Sequence, residues 1–165
     1  MSKNFYLSIF FGFFFNVILG QNPIEWITNT EKINDSTYNL TTTAKIENNW
    51  RLYSQYNEEG GAILTEFIFS DSLIIKNYSK VIEPEPITKF DPVFNLDQSY
   101  FVNQVTFNQR IVLSDNDVDF VNQTVYYQVC DDRVCIFQEQ DLMFNLSGTV
   151  SCTHLRAHET SHHLV

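Results

Sequence analysis

The sequence predicts an all-β domain folded as two antiparallel sheets packed face to face, and three observations predict it. Tyr38, Leu40, Thr42, Ala44 and Ile46 alternate with polar residues, as do Val105, Phe107, Gln109, Ile111 and Leu113, and then Leu142, Phe144 and Leu146. A period of two is the mark of a half-buried strand. No segment holds apolar residues at helical spacing over about a dozen residues. Short runs rich in aromatic and β-branched residues, Arg51 to Tyr56, Thr65 to Phe69, Leu73 to Val81 and Thr124 to Val129, fill the intervals with Asn, Asp and Gly between them. Together these give about seven to nine short strands, the number an antiparallel β-sandwich uses.

In chain order, Lys3 precedes an almost wholly apolar stretch from Phe5 to Leu19, followed by Gly20 and Gln21. A positive start, an apolar centre and a small residue at the exit describe a secretory signal peptide over residues 1–20. The apolar run is about 15 residues, short of the roughly 20 that span a membrane, and an uncleaved anchor is the alternative. Export would carry the chain to an oxidising compartment where cysteines can pair. Residues 21–147 are enough for one domain, burying about two-thirds of its unfolded surface. Without Lys3, Arg156 and Glu159 the chain retains 8 basic and 19 acidic residues, a net charge of −11. That balance argues against nucleic acid or an anionic membrane surface as a partner.

Asn57-Glu58-Glu59-Gly60-Gly61 reads as a turn between strands. A longer break runs from Glu83 to Phe94, where Pro84, Pro86 and Pro92 bar a central strand and make a stiff, extended loop. Long loops inside compact domains are usually functional, so Phe90 and Phe94 are either core anchors or a lid over a reactive site. Asn34, Asn39, Asn77, Asn122 and Asn145 each begin an Asn-X-Ser/Thr triplet, a pattern that chance accounts for in a chain so rich in these residues.

The strand-like run Tyr126-Tyr127-Gln128-Val129-Cys130 leads through Asp131-Asp132-Arg133-Val134 to Cys135. Two residues flanking a tight antiparallel turn meet the Cα separation a disulfide needs. Closing so small a ring stabilises by only about 2 kcal/mol on the chain-entropy estimate, so stability is a weak motive for the bond. Three readings stay open at this point: a thiol–disulfide exchange pair, a local structural bridge, and half of a metal site. The metal reading is short of ligands, because residues 1–151 hold no histidine and no other cysteine. Asp131 and Asp132 disfavour thiolate formation and Arg133 offsets part of that, which predicts thiols of ordinary or raised pKa.

All four histidines lie between His154 and His163. His154, His158 and His162, with Cys152, would suit a transition metal on one helical face. The run from Val150 to Thr160 instead resembles the translated adapter of a transposase-based sequencing library, which in one frame reads Val-Ser-Tyr-Thr-His-Leu-Arg-Ala-His-Glu-Thr, with Cys152 the one departure. Residues 148–165 are accordingly set aside as a tail foreign to the domain.

Four pieces in this order, Trp50-Arg51-Leu52-Tyr53-Ser54-Gln55, Glu59-Gly60-Gly61, Lys89-Phe90-Asp91-Pro92-Val93-Phe94 and Tyr127-Gln128-Val129-Cys130-Asp131-Asp132-Arg133-Val134-Cys135, resemble the amino-terminal periplasmic domain of the DsbD thiol:disulfide interchange proteins, in the form found in Bacteroidetes-like bacteria. The resemblance spans about Ile24 to Leu146. It implies an immunoglobulin-like sandwich in the periplasm whose cysteines relay electrons. The donor would be a thioredoxin-like domain, and the acceptor a periplasmic disulfide isomerase or a cytochrome c maturation thioredoxin. By position, Cys135 would form the mixed disulfide and Cys130 resolve it. Phe90, flanked by Lys89 and Asp91, would match the aromatic cap that shields the disulfide, while Tyr53 and Tyr127 would pack around the pair.

Exchange of this kind needs no metal or organic cofactor, and contact with the membrane would come only through further domains downstream. Many family members follow the second cysteine with proline, where this chain has Ile136-Phe137-Gln138, so the turn beside Cys135 and its partner preference are expected to differ. The alternative function is an immunoglobulin-like binding module whose disulfide merely pins a hairpin.

Overall fold

The structure, a computed structural model, describes residues 22–147 apart from 71, 72, 93 and 116, together with the backbone of residues 152 and 153. The expected signal peptide and nearly all of the expected tail lie outside the described residues.

Period-two alternation becomes strand wherever it was read. Its buried half faces inward, as in the strand Thr37–Ile46 (β2), where Tyr38, Leu40, Thr42, Ala44 and Ile46 are all buried. Ahead of it lies Ile24–Lys32 (β1), and after it Arg51–Tyr53 (β3), Glu66–Phe69 (β4), Ile75–Tyr78 (β5), Ile87–Asp91 (β6) and Leu96–Phe101 (β7). Three long strands follow, Gln104–Leu113 (β8), Phe120–Cys130 (β9) and Cys135–Asn145 (β10), and the two-residue Cys152–Thr153 (β11) pairs with Ile27 and Thr28. One sheet has the order β11-β1-β2-β8-β5; the other runs β10-β9-β3-β7-β6, with β4 also on β9. Every pairing among these strands is antiparallel, so the predicted fold class is the observed one.

Besides the two-residue β11, which falls in the segment set aside as a foreign tail, three strands go beyond the prediction. β1 has only Ile24, Trp26 and Thr28 buried before it turns polar, too short an alternation to stand out. β6 and β7 fall within and just after the proline-rich break read as loop, which is a correction. Pro86 and Pro92 bracket β6, and β6 has β7 as its one neighbour, so the prolines confine it to an edge without abolishing it. The segments Arg51 to Tyr56 and Leu73 to Val81 are strand over shorter spans than read, β3 and β5.

Aromatic rings fill the space between the sheets. Trp26 of β1 meets Tyr127 of β9 edge-on at 5.2 Å, and Phe107 of β8 lies 5.0 Å from Phe67 and 6.0 Å from Phe101. Each such ring fully buried contributes about 1.5–3 kcal/mol. Gln123 and Gln109 are buried among them and satisfy each other, Gln123 Nε2 donating to Gln109 Oε1 at 2.8 Å.

A second, smaller cluster lies on the outer face of the β10-β9-β3-β7-β6 sheet, where the segment 57–65 folds back across the strands. Gly60 takes the left-handed φ of 90° that its turn requires. At Gly61 the fit is closest, since a Cβ there would come 2.5 Å from the side-chain amide of Gln98. That amide is fully buried, and its Oε1 accepts the Ala62 N–H at 2.8 Å. Gly61→Ala should therefore destabilise the protein by about 1–3 kcal/mol through overpacking, read as a lower urea midpoint with an unchanged m-value.

Candidate functional site

β9 and β10 pair residue against residue along their whole length, from Asn145 opposite Phe120 to Cys135 opposite Cys130. The hairpin thus delivers the two cysteines face to face, with Cα atoms 4.1 Å apart and the sulfurs bonded. Asp131 closes the turn. Its backbone N–H donates to the Val134 carbonyl at 3.0 Å, and its Oδ1 accepts the N–H groups of Arg133 and Val134, each at 2.7 Å. Those two donors hold the Asp131 carboxyl below its ordinary value of 3.8.

Along β9 the odd-numbered residues, Val121 to Val129, face the sandwich core, so Gln128 and Cys130 lie on the outer face. Cys130 is nevertheless only 2% exposed, because Tyr53, Ala62, Phe94 and Tyr100 surround it there. Cys135, one strand further out, is exposed. The disulfide is therefore asymmetric: Cys135 is the exposed residue of the pair and Cys130 the buried one.

Charge around the pair is also compensated from β3, by a residue to which the sequence assigned no role of its own. Arg51 of β3 bonds Asp132 through Nη2, reaches Asp91 Oδ2 at 3.9 Å through Nη1, and lies 5.7 Å from the centre of the Tyr100 ring. One guanidinium thus ties the cysteine turn to the end of β6. Arg133 donates its backbone N–H to Asp131, and its charge also lowers the Asp131 carboxyl, ahead of that of Arg51, so it offsets part of the aspartate charge as expected. In the sequence, Arg51 gave no more signal than its place in a motif.

Of the other predicted site residues, Tyr53 belongs to the outer cluster and donates its hydroxyl to Asp91 Oδ2 at 3.4 Å. Burial, with the Asp91 carboxylate second, pushes its pKa up to about 12. Tyr127 faces the core, on the opposite side of the sheet from Cys130. Its hydroxyl meets Gln138 Oε1 at 3.0 Å and Asn22 Oδ1 at 3.3 Å, so the expected packing of Tyr127 around the pair is corrected. Asp91 is buried at the end of β6 and Lys89 is exposed upon it. Phe90 is 61% exposed, whereas Phe94, 6.0 Å edge-on from Tyr53, packs against the cluster that holds Cys130. The ring packed against that cluster is thus Phe94 and not Phe90, and Asn95 N–H donates to the Asp91 carbonyl at 2.8 Å between the end of β6 and β7.

The folded-state value for Tyr53 lies above its ordinary 10.0, so its protonated form is the one the fold stabilises. That contribution is complete below pH 10.0 and is lost as pH rises through about 12. Tyr53→Phe should flatten the alkaline limb of the stability curve over that interval, measured by urea unfolding as a function of pH.

The family model for the amino-terminal domain of the thiol:disulfide interchange protein DsbD matches residues 25–147. No curated protein matches the chain in sequence. Among solved structures, the N-terminal periplasmic domain of ScsB from Proteus mirabilis is similar at a TM-score of 0.61 and 17% identity, covering 79% of this chain. The chain spans about half of that structure, 49% of its length. The DsbD n-terminal domain of Neisseria meningitidis in the reduced form has a TM-score of 0.46 and 14% identity over 78% of this chain and 89% of its own. The DsbD N-terminal domain in complex with the PilB N-terminal domain, also from Neisseria meningitidis, has a TM-score of 0.44 and 11% identity over 77% and 86%. With its immunoglobulin-like sandwich and bonded cysteine pair, the chain belongs to the family of DsbD amino-terminal domains.

Proposed function

We propose that this domain relays electrons by thiol–disulfide exchange in the periplasm, as a protein-disulfide reductase unit within a larger system. The observation that carries the reading is the asymmetry of the Cys130–Cys135 bond. A staple gains nothing from leaving one of its residues exposed, whereas an exchange site needs one sulfur open to attack and a partner sulfur that departs into the protein. Family membership supports the same chemistry.

In the reducing half-cycle, the thiolate of a thioredoxin-like donor attacks Cys135 Sγ, the bond to Cys130 breaks, and Cys130 leaves as a thiolate. A second donor thiol then resolves the mixed disulfide. In the oxidising half-cycle, the Cys135 thiolate attacks the disulfide of an acceptor, of the disulfide isomerase or cytochrome c maturation type, and Cys130 expels the acceptor's thiolate. Phe94 acts as the shield over this bond, with Arg51 tying the cysteine turn to the strand that precedes it. The leader at 1–20 takes the domain across the inner membrane, and residues 148–165 contribute no domain of their own.

The reduction potential of the pair, equilibrated against glutathione buffers with thiol trapping, should fall between about −180 and −270 mV, where exchange proteins lie. A value below about −300 mV would mean a structural bridge and hand the function to the binding-module alternative. Phe94→Ala should speed oxidation of the reduced pair by a small disulfide severalfold, while Phe90→Ala leaves it unchanged; equal rates in both variants would remove the shield.

A further inference from the structure

Gln128 stands two residues before Cys130 on the same outer face of β9, and it is only 8% exposed. Its side-chain oxygen accepts the Ile63 N–H at 2.7 Å, and its Nε2 donates to Cys130 Sγ at 3.6 Å. The orientation of this amide is decided by chemistry. A backbone N–H can only donate, so Oε1 must face Ile63, which leaves the NH₂ group aimed at the sulfur. The rest of the pocket offers that sulfur little. Ala62 has no polar side-chain atom, the Tyr53 hydroxyl is donated to Asp91, and Arg51, opposite Cys130 in the β3–β9 register, is engaged with Asp132 and Asp91.

We propose that Gln128 is the hydrogen-bond donor to the departing sulfur, an assignment that rests on the exchange reading above. When a thiolate attacks Cys135 Sγ, a new S–S bond forms there and the electron pair of the Cys130–Cys135 bond departs onto Cys130 Sγ. That charge develops in an enclosed, largely apolar site where water cannot solvate it, so a donor already aimed at the sulfur stabilises it without reorganisation. In the oxidising half-cycle Cys130 is the resolving group: once Cys135 has formed the mixed disulfide, the same donor holds the Cys130 thiolate ionised until it attacks Cys135 Sγ and expels the acceptor's thiolate. The strap of residues 57–65 therefore takes part in the chemistry, since the Ile63 N–H is what points the amide at Cys130. Phe137 stands directly opposite Gln128 on β10.

Gln128→Glu separates this role from a structural one. Its carboxylate can still accept the Ile63 N–H, but it loses the donor and sets a negative charge against the sulfur. In a Cys135→Ser background, ultraviolet titration of the Cys130 thiolate should show a pKa raised by about one unit or more, since a hydrogen bond to a charged group is worth about 1.5–3 kcal/mol. With both cysteines present, reduction of the full chain's disulfide by dithiothreitol should slow by about threefold or more, because a more basic thiol leaves more slowly. Gln128→Leu, which adds no charge, should shift both readings the same way by less, and carries the test if the Glu variant does not fold. An unchanged Cys130 pKa and reduction rate in the folded variants would overturn the assignment and leave Gln128 as a brace for Ile63. Dithiothreitol needs no docking surface, so this result is separate from the fate of the relay: a wild-type potential below about −300 mV would end the relay while the pKa comparison still stood on its own.

Discussion

The register between β9 and β10 is the constraint on which this molecule depends. Cys130 meets Cys135 only because each pair back to Phe120 and Asn145 is in step. A slip of one residue would move every side chain of β9 to the other face of the sheet, taking Val121, Val125 and Val129 out of the core and Cys130 into it. Burial of the odd-numbered face therefore fixes the position of the cysteines, and the disulfide locks a register that packing has already chosen. β9 is held on its other edge as well, by β3 against Val129 and Cys130 and by β4 against residues 123–126. The cysteine pair thus sits at the end of a strand clamped on both sides.

From that register follows an unusual use of the sheet's outer face. In a two-sheet sandwich this face is ordinarily solvated. Here the segment 57–65 and the turn after β6 cover it over the last residues of β9, and buried glutamines secure the cover: Gln98 accepts the Ala62 N–H and Gln128 that of Ile63. Thr65 adds a hydroxyl bond to the Tyr53 carbonyl at 2.6 Å. Satisfying the strap's backbone through side chains lets it lie close to the strands without leaving polar groups orphaned, and the tight fit at Gly61 follows from the same closeness.

Electrostatics complete the enclosure. Two aspartates in the cysteine turn would by themselves oppose any negative charge on the sulfurs. Asp131 spends its charge on two backbone N–H groups and Asp132 on Arg51, so neither is a free anion beside the bond. Arg51 also reaches Asp91, so the turn that carries Cys135 and the strand before the aromatic cover share one cation. What remains is a bond with an open side at Cys135 and a dry side at Cys130, the second of these supplied with an amide donor.

Much of this was legible in the residues. Alternation predicted β2, β8 and the inner half of β10, because a strand with one buried face must repeat every second residue. The spacing of Cys130 and Cys135 across a polar turn was enough to expect them opposite one another. Parity alone also separates Tyr127 from Cys130, since residues three apart on a strand face opposite ways. Other features had no local signature. β6 was hidden by its flanking prolines, which forbid a central strand yet tolerate an edge, and only the presence of β7 beside it makes it one. Phe94 rather than Phe90 covers the cluster because a turn closed onto Asp91 redirects the chain. Arg51 and Gln128 acquire their roles from partners 81 and 65 residues away in sequence, Asp132 and Ile63. By itself, then, the sequence determined the fold class, the hairpin and the pairing of its two cysteines, since periodicity and short spacing are local quantities. The tertiary structure decided which cysteine is exposed, which ring packs around the buried one and which groups face it, since burial and hydrogen bonding depend on what the rest of the chain brings alongside.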